Sequence, residues 1–205
     1  MTSVVVVSAG LSNPSSSRLL ADRLTAATVG ALPEVQVIHV ELRDLAHKLT
    51  DQLLTGFPDE ELAAAQSAVG AADGLIVVTP VFAASYAGLF KTFFDVLEPG
   101  ALDGTPVLIA ATAGTARHSL VLDHALRPLF AYLHATVVPT GVFAAIDDFA
   151  GTDLDDRVQR ATVELVALMT GAPAEPRHAP RRRTVEDEFE SPTPFEELLR
   201  QVASS

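Results

Sequence analysis

The chain contains no cysteine. Disulfides, thiolate nucleophiles and zinc–thiolate centres are therefore excluded as sources of stability or chemistry. Basic charge is scarce: 14 Lys and Arg stand against 26 Asp and Glu, a formal net charge of −12. Nucleic-acid binders carry a basic face, so that class is set aside. The acidic excess favours solubility and says little about fold. Long apolar runs are also missing. No window approaches the ~20 apolar residues of a membrane span. The N-terminal segment MTSVVVVSAG has neither the basic start nor the apolar length of a signal peptide. The expected location is the cytoplasm. What remains is 205 residues with 48% hydrophobic content, enough for one domain with a sizeable core.

The most informative segment is LIVVTPVFAASYAGLFKTFFD, from Leu75 to Asp95. Its first four residues are apolar without alternation, as in a strand buried on both faces of a parallel sheet. The run stops at Thr79-Pro80, and a helical pattern carrying Lys91 and Asp95 follows. Ligands of open α/β sheets sit at the carboxyl ends of such strands. A rigid Pro, an aromatic ring and no acid, base or metal ligand suit the holding of a flat cofactor. Lys91 and Asp95, four apart, read as a surface pair.

The same logic runs along the chain. Residues 4–7 and 35–40 are predicted as strands, with 106–110 a fourth and 137–143 a fifth, the last interrupted by Pro139 and Gly141. Helical spacing begins near Ser17, with Leu20, Leu24 and Ala27 on one face. Residues 44–58 read as irregular with weak helical character. Pro58-Asp59-Glu60-Glu61 opens a helix whose early acids suit the N-terminal dipole. Residues 88–97 are a third helix, 118–133 a fourth that Pro128 is expected to kink, and 153–169 a last one. Strands alternating with helices mean a parallel sheet covered on both faces. Five strands fit a flavodoxin-like three-layer α/β sandwich with strand order 2-1-3-4-5. The domain is expected to span residues 1–171. Residues 172–205, Pro-rich and then charged (Arg181–Arg183, then Glu186–Glu190), read as a tail without a core. Its segment PFEELL (194–199) either docks on a neighbouring subunit through amphipathic turns or stays without order.

Between the first strand and first helix lies Ser8-Ala9-Gly10-Leu11-Ser12-Asn13-Pro14-Ser15-Ser16-Ser17-Arg18. Hydroxyls and free N–H groups ahead of a helix N-terminus make an anion site. The loop fits neither the Gly-x-Gly-x-x-Gly nor the Walker A pattern. It is a metal-free phosphate loop or a polar loop with a Ser cap.

Three segments together resemble the NADPH-dependent flavin mononucleotide (FMN) reductase family: SNPSSSRLLADRL (12–24), ADGLIVVTPVFAASYAGLFKTFFDVL (72–97) and ATAGTARHSLVLDHALRPLF (111–130). Within it, the flavin reductases of two-component alkanesulfonate monooxygenase systems look most similar. The resemblance covers residues 3–145. It implies that Ser12, Ser15, Ser17 and Arg18 hold the phosphate. Pro80, Val81, Phe82 and Ser85 would wrap the ribityl chain and ring edge. Thr112, Gly114 and Thr115 would lie beneath the ring's polar edge. Phe82 departs from the Tyr common in relatives, and Ala83 from a Lys or other polar residue.

His124 falls where this branch often carries a Tyr or His in a π-bulge at a tetramer interface. A role in assembly or flavin transfer stands beside a plain position on an interface or partly exposed helix face. Arg117 and His118 lie near the loop after the fourth strand and could meet a nucleotide phosphate, with helix-capping polarity an equal reading for His118.

The implied cofactors are FMN and NADPH or NADH. The implied partners are a flavin-dependent monooxygenase and further copies of the chain, as a homodimer or homotetramer. Flavin carries the hydride chemistry, so no catalytic acid or base is required. A flavin-retaining quinone or azo reductase and a non-catalytic electron carrier share the fold. A phosphorylated receiver domain needs clustered acids after the first strand, where this chain has Ser8-Ala9-Gly10.

Overall fold

The computed structural model describes residues 2–172. The predicted tail lies outside them, apart from Ala172. Among the described residues no helix is long and apolar enough to cross a membrane.

The strands β1 (Ser3–Ser8), β2 (Gln36–Glu41), β3 (Gly74–Phe82) and β5 (Pro106–Ala113) form a parallel sheet in the order β2-β1-β3-β5. The fifth position is shared by two pieces, β6 (Thr136–Val137) and β7 (Val142–Ala145), both parallel to β5. Counting them as one strand gives the order 2-1-3-4-5 expected of a flavodoxin-like sheet. The interruption has a cause. Gly141 is pressed so close to Leu122 and Ile109 that a Cβ would approach the Leu122 Cδ1 to 3.1 Å. Pro139 has no N–H for a ladder. The break is held by helices on either side. Arg127 donates to the Val138 carbonyl at 3.0 Å and to the Pro139 carbonyl, while Glu164 accepts from Thr140 N–H and Oγ1, both at 2.7 Å.

Alternate strand residues feed two cores. Val4 and Val6 face α1 (Ser16–Ala31) and α6 (Asp153–Thr170), against Leu20, Leu24, Leu154, Val158 and Leu165. Val5 and Val7 face α3 (Glu60–Gly70), α4 (Gly88–Asp95) and α5 (Arg127–Tyr132). There Phe94 stacks with Phe90 at 4.8 Å and Phe130 at 5.0 Å between ring centres.

Three elements differ from expectation. Residues 46–55 form a regular helix, α2 (Ala46–Thr55), ending at Gly56 with φ 83°. It has no side-chain cap, and burial of Leu49 and Gln52 sustains it instead. The predicted helix over 118–133 is composite. A 3-10 turn (Ala116–His118) is followed by a π turn (Leu122–Leu126), then α5. Pro128 is the second residue of α5, directly after the π turn, where its missing N–H interrupts the helical hydrogen bonding. Third, β3 runs on past residue 78 and folds back. A short strand, β4 (Ser85–Tyr86), pairs antiparallel with its tip.

Candidate flavin site

The chain leaves β1 toward the α1 face and β3 toward the α4 face. This divergence opens a crevice at the carboxyl ends of the two strands. A cavity of about 330 Å³ lies there. Its lining comes from the β1–α1 loop (Gly10, Leu11, Ser12, Ser15, Ser16, Ser17), from β3 (Pro80, Val81, Phe82) and from the end of β5 (Thr112, Ala113, Gly114). Ile146, just past β7, completes it. Among the described residues, no carboxylate, imidazole, ammonium or guanidinium is in that lining. A larger hollow of about 690 Å³ lies beside Phe94, Leu97, Leu133 and His134, away from these loops.

One end of the cavity is built to take an anion. Ser15 caps α1, its Oγ accepting from the Arg18 N–H at 3.3 Å. The N–H groups of Ser16 and Ser17 fall in the first turn, where no helical acceptor exists. There is no acid in that turn to oppose a negative ligand. Gly10 makes room: a Cβ there would stand 2.0 Å from Ser15 Oγ and 3.3 Å from Ser17 Cβ. A phosphate monoester therefore meets hydroxyls, free N–H groups and a helix dipole.

The other end is flatter and more apolar. Thr79 is buried at the root of the β3–β4 hairpin. Its Oγ1 accepts from Ala87 N–H at 3.0 Å and donates to the Pro80 carbonyl at 2.9 Å. The hairpin turns through Ala83 and Ala84, both at positive φ (48° and 65°). That pattern belongs to a type I′ turn, whose twist matches the strands but which normally takes Asn-Gly. Phe82 consequently stands 48% exposed beside the cavity. Ile146, 62% exposed, faces it from β7. Asp148 fixes the turn that carries Ile146, accepting from Ala145 N–H at 2.8 Å and pairing with Arg157 at 3.4 Å. The Ser17 and Thr112 hydroxyls join the two ends across the floor, 2.8 Å apart.

Of the residues singled out from sequence, Ser12, Ser15, Ser17, Pro80, Val81, Phe82, Thr112 and Gly114 line one cavity. Arg18, Ser85 and Thr115 do not. Arg18 is turned away, donating to Asp22 at 2.8 Å and Glu41 at 2.7 Å. The Asp22 bond, then Glu41, raises its pKa above the usual guanidinium value, against a lowering by partial burial. Ser85 lies in β4, its backbone paired with Phe82 across the hairpin. Thr115 is exposed and starts the 3-10 turn that carries Arg117, itself exposed and without an ion-pair partner among the described residues. His124 is exposed within the π turn. Leu11, Ser16 and Ile146 are lining residues that the sequence comparison of loops passed over.

The sequence profile of the family described as NADPH-dependent FMN reductase matches residues 2–150. The chain belongs to that family. It is similar to NADH-dependent FMN reductase SfnF of Pseudomonas fluorescens, 42% identical over 164 residues spanning 80% of this chain and 87% of the relative. It is likewise similar to FMN reductase (NADPH) of Pseudomonas aeruginosa, 41% identical over 164 residues, 80% of this chain and 88% of the relative. Among solved structures it is similar to an oxidoreductase from Corynebacterium diphtheriae, with TM-score 0.81 and 49% identity over 83% of this chain and 98% of that one.

Proposed function

We propose that the cavity binds FMN for reduction by NADPH or NADH, and that the reduced flavin leaves for a flavin-dependent monooxygenase. The oxidoreductase class, the flavin and the nicotinamide donor follow from family membership. The carrying observation is one crevice with a hydroxyl-and-amide end, an apolar end and no ionisable lining residue among the described ones. When bound, FMN supplies a ring that accepts hydride from the nicotinamide. The chain's own part is to bind and align. The Ser12–Ser17 hydroxyls and first-turn N–H groups take the phosphate. Phe82, Pro80 and Ile146 position the ring edge and exclude water, so that the second ring meets it in a reactive orientation. The backbone beside Gly114 lies where negative charge on the ring's polar edge would be met. Ser85, Thr115 and Arg18 would act only at one remove, through the hairpin, the 3-10 turn and the β2–α1 contact.

The molecule is further proposed to act in the cytoplasm as a homodimer or homotetramer, with exposed His124 in the π turn at a contact between copies. Residues 1–171 would be the reductase domain, and the tail a separate segment that can dock on a neighbouring subunit.

The test is anaerobic oxidation of NADPH and NADH with and without added FMN, followed by filtration to separate free flavin from protein. Turnover that requires added FMN and leaves reduced flavin in the filtrate supports the proposal. Flavin that stays bound and turns over only with a quinone or azo dye points to a flavin-retaining reductase. Bound flavin with no oxidation of either coenzyme would leave an electron carrier.

A further inference from the structure

We propose that the Ser17–Thr112 hydroxyl pair couples the phosphate end of the cavity to the ring end, making Thr112 a residue that selects FMN over riboflavin without touching the phosphate. The inference rests on the assignment of FMN to this cavity. Ser17 lies in the first turn of α1 and is 2% exposed; Thr112 lies near the end of β5 and is 4% exposed. Their oxygens are 2.8 Å apart, and both residues line the cavity. Neither side chain makes another hydrogen bond to a described residue.

Each hydroxyl has one proton and two lone pairs. The shared bond uses one proton, so its direction is free until a ligand fixes it. A phosphate dianion only accepts. When Ser17 gives its proton to phosphate, it must accept from Thr112. Thr112 then turns lone pairs alone toward the cavity and can hold a donor there, such as a ribityl hydroxyl. A bond to an ionised group is stronger than a neutral one, and bonds in series reinforce one another out of water. Riboflavin carries the same ribityl hydroxyls but no phosphate, so it can set the direction of the pair only from the Thr112 side and lacks the charge-assisted bond that reinforces it.

Flavin affinity is measured by fluorescence titration with FMN and riboflavin for the wild type, Thr112→Val, Ser17→Ala, the double variant and Thr112→Ser. Val keeps the shape of Thr and removes the hydroxyl. Expected is a loss of about tenfold for FMN in Thr112→Val, with a clearly smaller loss for riboflavin. The double variant should bind FMN no worse than Ser17→Ala alone, and Thr112→Ser should restore wild-type selectivity. Equal losses for both flavins in Thr112→Val, or single losses that multiply in the double variant, overturn the coupling. If Thr112→Val fails to fold, the riboflavin titration of Ser17→Ala decides: a loss equal to that for FMN overturns it. A wild type that binds neither flavin refutes the site assignment itself, an outcome distinct from binding without selectivity.

Discussion

At the scale of single residues, Gly10 and Arg117 carry the sharpest expectations. A Cβ at Gly10 collides with the Ser15 hydroxyl. Gly10→Ala must therefore displace the residue that both caps α1 and lines the cavity. FMN affinity should fall at least about tenfold, with a stability loss near the ~1 kcal/mol of a lost helix cap. Calorimetric titration and thermal melting check the two effects separately. Arg117 is an exposed cation without an ion-pair partner among the described residues, two positions past the ring-edge loop. Arg117→Ala should raise KM for NADPH or NADH and leave FMN affinity unchanged. A larger rise for NADPH than for NADH would place the 2′-phosphate there; no rise with either coenzyme would remove Arg117 from the reaction. The Ser-rich loop was legible because hydroxyl and glycine residues announce their chemistry by type. Arg18 was misleading because adjacency does not tell which way a long side chain turns, and Asp22 and Glu41 take its donors. Ile146 was invisible because an apolar residue at a strand end looks like core.

At the scale of elements, the β3–β4 hairpin concentrates strain. Each left-handed Ala costs about 1–2 kcal/mol, which Asn and Gly largely avoid. Replacing Ala83→Asn together with Ala84→Gly should raise the unfolding free energy by about 1 kcal/mol, after allowance for glycine's greater freedom in the unfolded chain. Chemical denaturation measures it. The hairpin could not be foreseen, since Ala-Ala is no turn signal. Asp59, which begins α3, is a second point of leverage. Its carboxylate accepts from Leu62 N–H at 2.9 Å and pairs with Lys48 at 2.9 Å. The Leu62 bond, then Lys48, holds its pKa below the usual carboxylate value. A folded-state pKa below the unfolded one adds stability above the unfolded value of about 3.9, and that stability is lost as pH falls through the folded value. Asp59→Asn should therefore narrow the difference in melting temperature between pH 7 and acid, most visibly below about pH 4. The acids Asp59-Glu60-Glu61 made this helix start readable. By contrast α2, with no cap and few buried positions, gave only a weak periodic signal.

At the scale of the whole molecule, topology was the most legible property. Unbroken apolar strands such as Val4–Val7 and Leu75–Val78 can only be central and parallel. The interruption of the fifth strand was legible from Pro139 and Gly141, but its anchoring was not, because Arg127 and Glu164 reach it from two helices. Overall charge leads to a further expectation. The chain carries −12, and no cation is among the described residues that line the cavity. Salt should screen repulsion of the FMN dianion, so FMN affinity should hold or rise from low ionic strength to ~0.5 M salt. A site built on a lysine or arginine would lose affinity over that range, which a titration series distinguishes. The broken fifth strand bears on solubility too. A sheet border invites foreign strands when it is long, flat and unpaired. Here it is cut into pieces of two and four residues. At the cut, the carbonyls of Val138 and Pro139 and the N–H of Thr140 already have side-chain partners. The interruption that lets helices close over the sheet thus also denies an incoming chain a continuous template, guarding this margin of the protein against aggregation.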